Sequence, residues 1–163
     1  MWAEKMKAPL SHGLVVLLCS IAAAGQSGNQ VRVTNAGVQK LFEGAWRLVW
    51  LEEPDADGKV HRADCTGLLV YTADGHMSVQ VMYRNTQGGG GTAPVQYAQS
   101  GYEASFGRYE IDDPHTFTFH VEGGLVRTLV GKDLKRVYEL SGNQLIVKSP
   151  DPNEHWRVAW EHY

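Results

Sequence analysis

His120 and Glu122 stand two residues apart in the run Thr116-Phe-Thr-Phe-His-Val-Glu122, where apolar and polar residues alternate as in a β-strand. Residues two apart on a strand share a face, so the imidazole and the carboxylate are neighbours. A carboxylate beside a histidine orients the ring and favours its protonated form, which makes the pair a candidate acid–base dyad. Arg108 and Arg136 fall on neighbouring predicted strands. A guanidinium on that face would grip a carboxylate or a developing enolate oxygen. The residues leave two arrangements open. With the His120 face inward, the four side chains meet in one interior cluster, and His120 and Glu122 are catalytic candidates. With Phe117, Phe119 and Val121 inward, as apolar faces usually are, the polar groups satisfy one another or sit in water.

Trp46 and Trp50 lie four apart on an alternating run and share a predicted face with Leu48. Such aromatic walls pack a core or line a site for apolar and aromatic ligands. Gly88-Gly89-Gly90-Gly91 reads either as slack in a surface loop or as the hinge of a lid formed with a short helix after Pro94. It is not a phosphate loop, because no Lys-Ser/Thr follows it. No pair of histidines has metal-ligand spacing, and His120 with Glu122 lacks an evident third ligand, so no metal is expected. No cofactor is expected either, and no Gly-x-Ser-x-Gly elbow is present.

These residues need a scaffold, and the composition sets its kind. The chain has 163 residues, 43% hydrophobic and 20% charged, enough for one domain with a real core. Lys5 and Lys7 precede the short apolar stretch Gly13–Ile21, and Ala22-Ala23-Ala24 offers small residues at a cleavage site. Residues 1–24 therefore read as a secretory signal, with 25–37 as a flexible leader. The apolar stretch is short for a membrane span, so no stable membrane insertion is expected after cleavage. The remainder holds 13 basic and 17 acidic side chains and no basic patch, which argues against nucleic acid as a partner. Its single cysteine, Cys65, cannot form an internal disulfide and is expected to be buried. The expected location is the periplasm or outside the cell. The residues do not set an oligomeric state.

Within 38–163, short alternating runs follow one another with turn signals between them. Val38–Phe42 is predicted as one helical turn closing onto the domain. Strands are predicted over 44–52, 65–72, 76–84, 105–112, 116–122, 132–140, 144–149 and 156–163, with a short arm at 59–62. Asp74-Gly75, Asp113-Pro114 and Gly142-Asn143 mark hairpins, and Gly123-Gly124 is expected to end its strand. Strand follows strand without a crossover helix, which excludes parallel βαβ units. About eight antiparallel strands suggest a sandwich or a barrel, and a barrel of eight holds side chains or one small ligand.

Gly44-Ala-Trp46-Arg-Leu-Val is similar to the Gly-x-Trp opening strand of lipocalins. The hairpin Gly67-Leu-Leu-Val-Tyr-Thr-Ala-Asp-Gly-His-Met-Ser-Val-Gln80 resembles the signature of the bacterial and fungal lipocalin-like domain family. Phe106–Glu110, His120–Gly123 and Arg136–Leu140 followed by Gln144-Leu-Ile-Val look like its later motifs. The resemblance covers roughly residues 41–162 and departs from the pattern at the four glycines after Asn85. It implies an up-and-down β-barrel of about eight strands with a short helix near the rim, and a plugging role for Trp46. Trp50, Tyr71, Gln80, Arg108, Arg136 and Tyr138 are then the ligand-binding candidates. The leading reading is an exported barrel that binds a small hydrophobic or aromatic molecule. The alternative is a small-molecule cyclase or isomerase using an interior His120/Glu122 pair, and a third is an assembly module with a packed interior. A cavity separates the third from the others, and an inward His120 separates the second from the first.

The N-terminal reading has a direct check. N-terminal sequencing of the exported protein is expected to start within a few residues of Gly25, and intact Met1 in a membrane fraction would contradict it.

Overall fold

The computed structural model describes residues 35–55, 57–84 and 97–163. The signal segment, most of the leader and the glycine run 88–91 lie outside the described residues. Helix α1 (Asn35–Phe42) precedes strands β1 (Gly44–Pro54), β2 (Val60–Arg62), β3 (Cys65–Tyr71), β4 (His76–Tyr83) and β5 (Tyr102–Asp113). Then come β6 (Thr116–Gly124), a 3-10 turn at Arg127–Leu129, β7 (Asp133–Ser141), β8 (Gln144–Lys148) and β9 (Arg157–His162). Each strand from β3 to β8 pairs antiparallel with its successor, and β1 pairs with both β3 and β9. Eight strands thus close into a barrel, and β2 is a short arm folded back on β1.

One end of the barrel is closed by aromatic packing. Phe42, at the end of α1, is fully buried and meets the rings of Tyr71, Tyr109, Phe117 and Tyr138 at centroid distances of 4.9–6.2 Å. Trp46 is 1% exposed, and its indole Nε1 donates to the Phe42 carbonyl at 2.7 Å. Burying an indole leaves a donor to satisfy, and the last residue of the helix supplies the acceptor.

The inner face of β6 is the apolar one. Phe117, Phe119 and Val121 are buried, so His120 and Glu122 point outward. In β1 the alternation does not run through. Leu48 pairs with Trp160 and Trp50 with Ala159, which leaves Val49 as an extra residue. This bulge flips the strand. Trp46 faces inward before it, and Leu51 and Glu53 face inward after it. Trp50, expected to share the inner face of Trp46, stands on the outer wall instead.

Two further expectations change. Gly123 and Gly124 do not end β6, because they pair with Phe106 and Ser105. The Phe106 ring covers Gly123 closely enough that a Cβ there would clash with it. The helix anticipated after Pro94 does not reach Tyr102. Ser100 and Gly101 take φ of +54° and +75° between Gln99 and Tyr102, whose backbones bond reciprocally. Two successive positive φ values make a primed hairpin turn, which no helix can contain.

Trp46→Ala is expected to lower stability by about 3–5 kcal/mol, since it empties the closed end and removes a satisfied buried donor. Chemical denaturation checks this, and a loss under about 1 kcal/mol would place Trp46 outside the core.

Candidate functional site

Above the aromatic floor the barrel holds a cavity of about 90 Å³ that is partly open to solvent. Each buried water needs roughly 10–15 Å³ on this measure, so the space suits one small molecule and not a long chain. Leu51, Leu69, Val79, Val81, Phe119, Leu134, Val147, Val158 and Trp160 supply most of the wall, each from the inward parity of its strand. The polar members are few: Tyr71, Tyr83, Tyr97, Glu103, Ser105 and Arg136.

Arg136 enters from β7 between Leu134 and Tyr138 and is 9% exposed. Its guanidinium lies 5.0 Å from the Tyr97 ring and 5.1 Å from the Trp156 ring, and Nη1 donates to the Lys135 carbonyl at 3.0 Å. Glu154 fixes both rings, accepting from the Tyr97 hydroxyl and from Trp156 Nε1 at 3.0 Å each. Desolvating a charge costs several kcal/mol, while a desolvated cation–π contact returns about 2 kcal/mol.

Glu103 enters from β5, two residues before Ser105 and on the same inner parity as Tyr109. Burial pushes its carboxyl up to about 7, and the positive charge of Arg136 offsets only part of that. A carboxyl tuned to this range changes charge near neutrality. Close by, Tyr83 donates to Glu53 Oε2 at 2.7 Å, with Glu53 only 6% exposed. Burial first, and then the bond to Glu53, raise the Tyr83 hydroxyl. Cys65 is half-buried, and its thiol is pushed up to about 11 by burial and by Glu53. That removes it from nucleophilic chemistry at neutral pH. Tyr71 is 2% exposed, and among the described residues its buried hydroxyl has no hydrogen-bond partner.

Of the six ligand-binding candidates, Tyr71 and Arg136 line the cavity. Tyr138 is buried in the floor against Phe42. Gln80 is exposed on the outer wall, where its Oε1 accepts from the Tyr102 hydroxyl at 3.2 Å. Trp50 is held outside between the guanidinium groups of Arg62 and Arg157, at 5.4 and 5.3 Å. Arg108 also faces out, paired in register with His76 and His120.

The expected interior cluster of His120, Glu122, Arg108 and Arg136 therefore does not form. His120 Nδ1 lies 2.7 Å from Asp133 and Nε2 lies 3.7 Å from Glu110, in an outer-surface depression shared with Arg108 and Glu122. The side chain is 37% exposed, and solvent screens these pairs. The structure separates Arg136 from the other three because β7 turns it inward while β5 and β6 turn them outward.

Glu53, Tyr83, Tyr97, Glu103 and Trp156 were not anticipated. Glu103 was legible in part, since alternation carried back from Tyr109 through Gly107 and Ser105 reaches it on the inner face. Glu53 was hidden by the bulge, and Tyr97 by the helix expected over 94–102.

Residues 43–161 match the family model described as a lipocalin-like domain. No curated protein matches the chain. Among solved structures, a redesigned beta barrel aligns with 77% of this chain and 94% of its own, at 10% identity and a TM-score of 0.42.

Glu103 also sets a pH dependence of stability. Its carboxyl is raised in the fold, so the folded state holds a proton that the unfolded chain loses above the ordinary carboxylate range. Stability therefore falls as pH rises toward and through about 7. Glu103→Gln is expected to match the parent at pH 5 and exceed it by about 1–3 kcal/mol at pH 8.5. Parallel denaturation curves at the two pH values check this, and an equal difference at both would contradict it.

Proposed function

Since this chain belongs to the lipocalin-like domain family, whose barrel is a ligand-binding fold, we propose that it is an exported binding protein for one small hydrophobic or aromatic molecule held inside the barrel. The observation that carries the reading is the part-open interior cavity of about 90 Å³ with an aliphatic and aromatic wall and a handful of polar groups. Apolar pockets with few, well-placed polar groups bind by burial and orient by those groups. Export is inferred from the signal-like segment before Gly25.

The outward placement of His120 and Glu122 removes the pair on which a cyclase or isomerase reading would rest. Their role on this reading is to decorate the outer wall of β6.

Native mass spectrometry of protein purified from its own source is expected to show a retained small molecule. His120→Ala is expected to keep ligand affinity within about twofold, because the side chain is separated from the cavity by the sheet. Ligand-free protein, together with no rise in melting temperature across a panel of small apolar compounds, would contradict the proposal.

A further inference from the structure

Four arginines of the outer surface have carboxylate partners. Arg47, Arg62, Arg84 and Arg157 each reach a carboxylate within 3.6 Å. Arg136 is far more buried, and among the described residues no carboxylate forms an ion pair with it. Its surroundings include two ring faces, the Tyr97 hydroxyl and one backbone carbonyl. A guanidinium cannot relieve burial by losing its proton, whereas a carboxyl can. The neighbouring Glu103 does the latter, and in its neutral form it leaves the guanidinium as the dominant charge of the cavity. Tyr71 adds a buried hydroxyl that has no hydrogen-bond partner among the described residues. Arg136 and Tyr71 thus present donors to the same cavity, where the oxygen atoms of an anion would meet both.

We propose that the molecule held by this barrel is a small monocarboxylic acid, its carboxylate seated on the Arg136 guanidinium and its apolar body among Leu69, Phe119 and Val147. The inference rests on the binding reading above and names the chemical class it takes. A planar guanidinium matches a carboxylate with two parallel hydrogen bonds, which a neutral isostere cannot reproduce. The rings of Tyr97 and Trp156, held by Glu154, keep the guanidinium from turning away to solvent.

Glu103 makes the affinity depend on pH. The titratable groups around it are Tyr83 from β4 and Arg136 from β7, with Glu53 of β1 and Cys65 of β3 behind Tyr83. The inward neighbours on β6, Phe119 and Val121, are apolar. An ionised Glu103 competes for Arg136 and repels a bound carboxylate, so affinity for an acid falls as pH rises through neutrality.

The test titrates the natural protein with benzoate and with toluene by calorimetry between pH 5.5 and 8.5. Benzoate is expected to bind at least tenfold more tightly than toluene at pH 5.5, and its affinity to fall about five- to tenfold by pH 8.5. Glu103→Gln is expected to flatten that profile, and Arg136→Met to bring the benzoate-to-toluene ratio near one. Equal binding of the two probes by the unaltered protein overturns the acid inference and leaves the cavity reading standing. Binding of neither overturns both. A benzoate preference that survives in Arg136→Met also overturns the inference. If that variant does not fold, the ratio and pH profile of the unaltered protein and of Glu103→Gln decide alone.

Discussion

Strand β1 has to serve two neighbours. Its first residues pair with β3, and the strand from Trp46 to Glu52 pairs with β9, so the first and last strands of the sheet are joined through it. A closed sheet has no free edge, and its inner face is sealed from water around the whole circumference. The extra residue at Val49 lets β1 bend into that closure. The same bulge decides what the interior contains. It turns Trp50 out to the Arg62 and Arg157 guanidinium groups and turns Leu51 and Glu53 in. Without the flip, an indole would stand where the cavity is, and a carboxylate would lose its bond from Tyr83.

The two ends of the barrel divide the work. At the α1 end, Phe42, Tyr71, Phe117 and Tyr138 pack at ring-contact distances and Trp46 is bonded to the Phe42 carbonyl, which makes a dense floor. At the other end the inward residues of β1, β4 and β5 are Glu53, Tyr83 and Glu103, joined by Tyr97 and Trp156 beside Arg136. Stability is concentrated where packing is dense and apolar. The ionisable groups are concentrated where space remains, and their desolvation there is offset only in part by their neighbours. That imbalance is what a ligand-binding interior requires.

Strand order, hairpins and the closed antiparallel architecture were legible from alternation and turn residues, and the lipocalin-like resemblance of the 67–80 hairpin agrees with the family match over 43–161. Arg136 was legible as a site residue because β7 alternates without interruption. Trp50 was not, since one inserted residue inverts every later position on its strand and alternation carries no mark of where that happens. The orientation of His120 stayed open in the sequence because a His–Glu pair on one strand face fits either an interior site or a solvated wall. The competing face of Phe117, Phe119 and Val121 is the one that apolar burial selects. Glu103 escaped because its strand starts three residues earlier than its apolar run, after a turn whose Ser-Gly pair sits inside a helix-like spacing.

The central claim is that the barrel encloses a ligand space whose polar focus is Arg136. Electron density from crystals of the protein purified from its own source tests it most directly. The account predicts density for a small non-protein molecule bounded by Leu69, Phe119 and Val147 and touching the Arg136 guanidinium, with His120 remaining outside against Asp133. An interior filled by its own side chains, with Arg136 turned out to solvent, would contradict it.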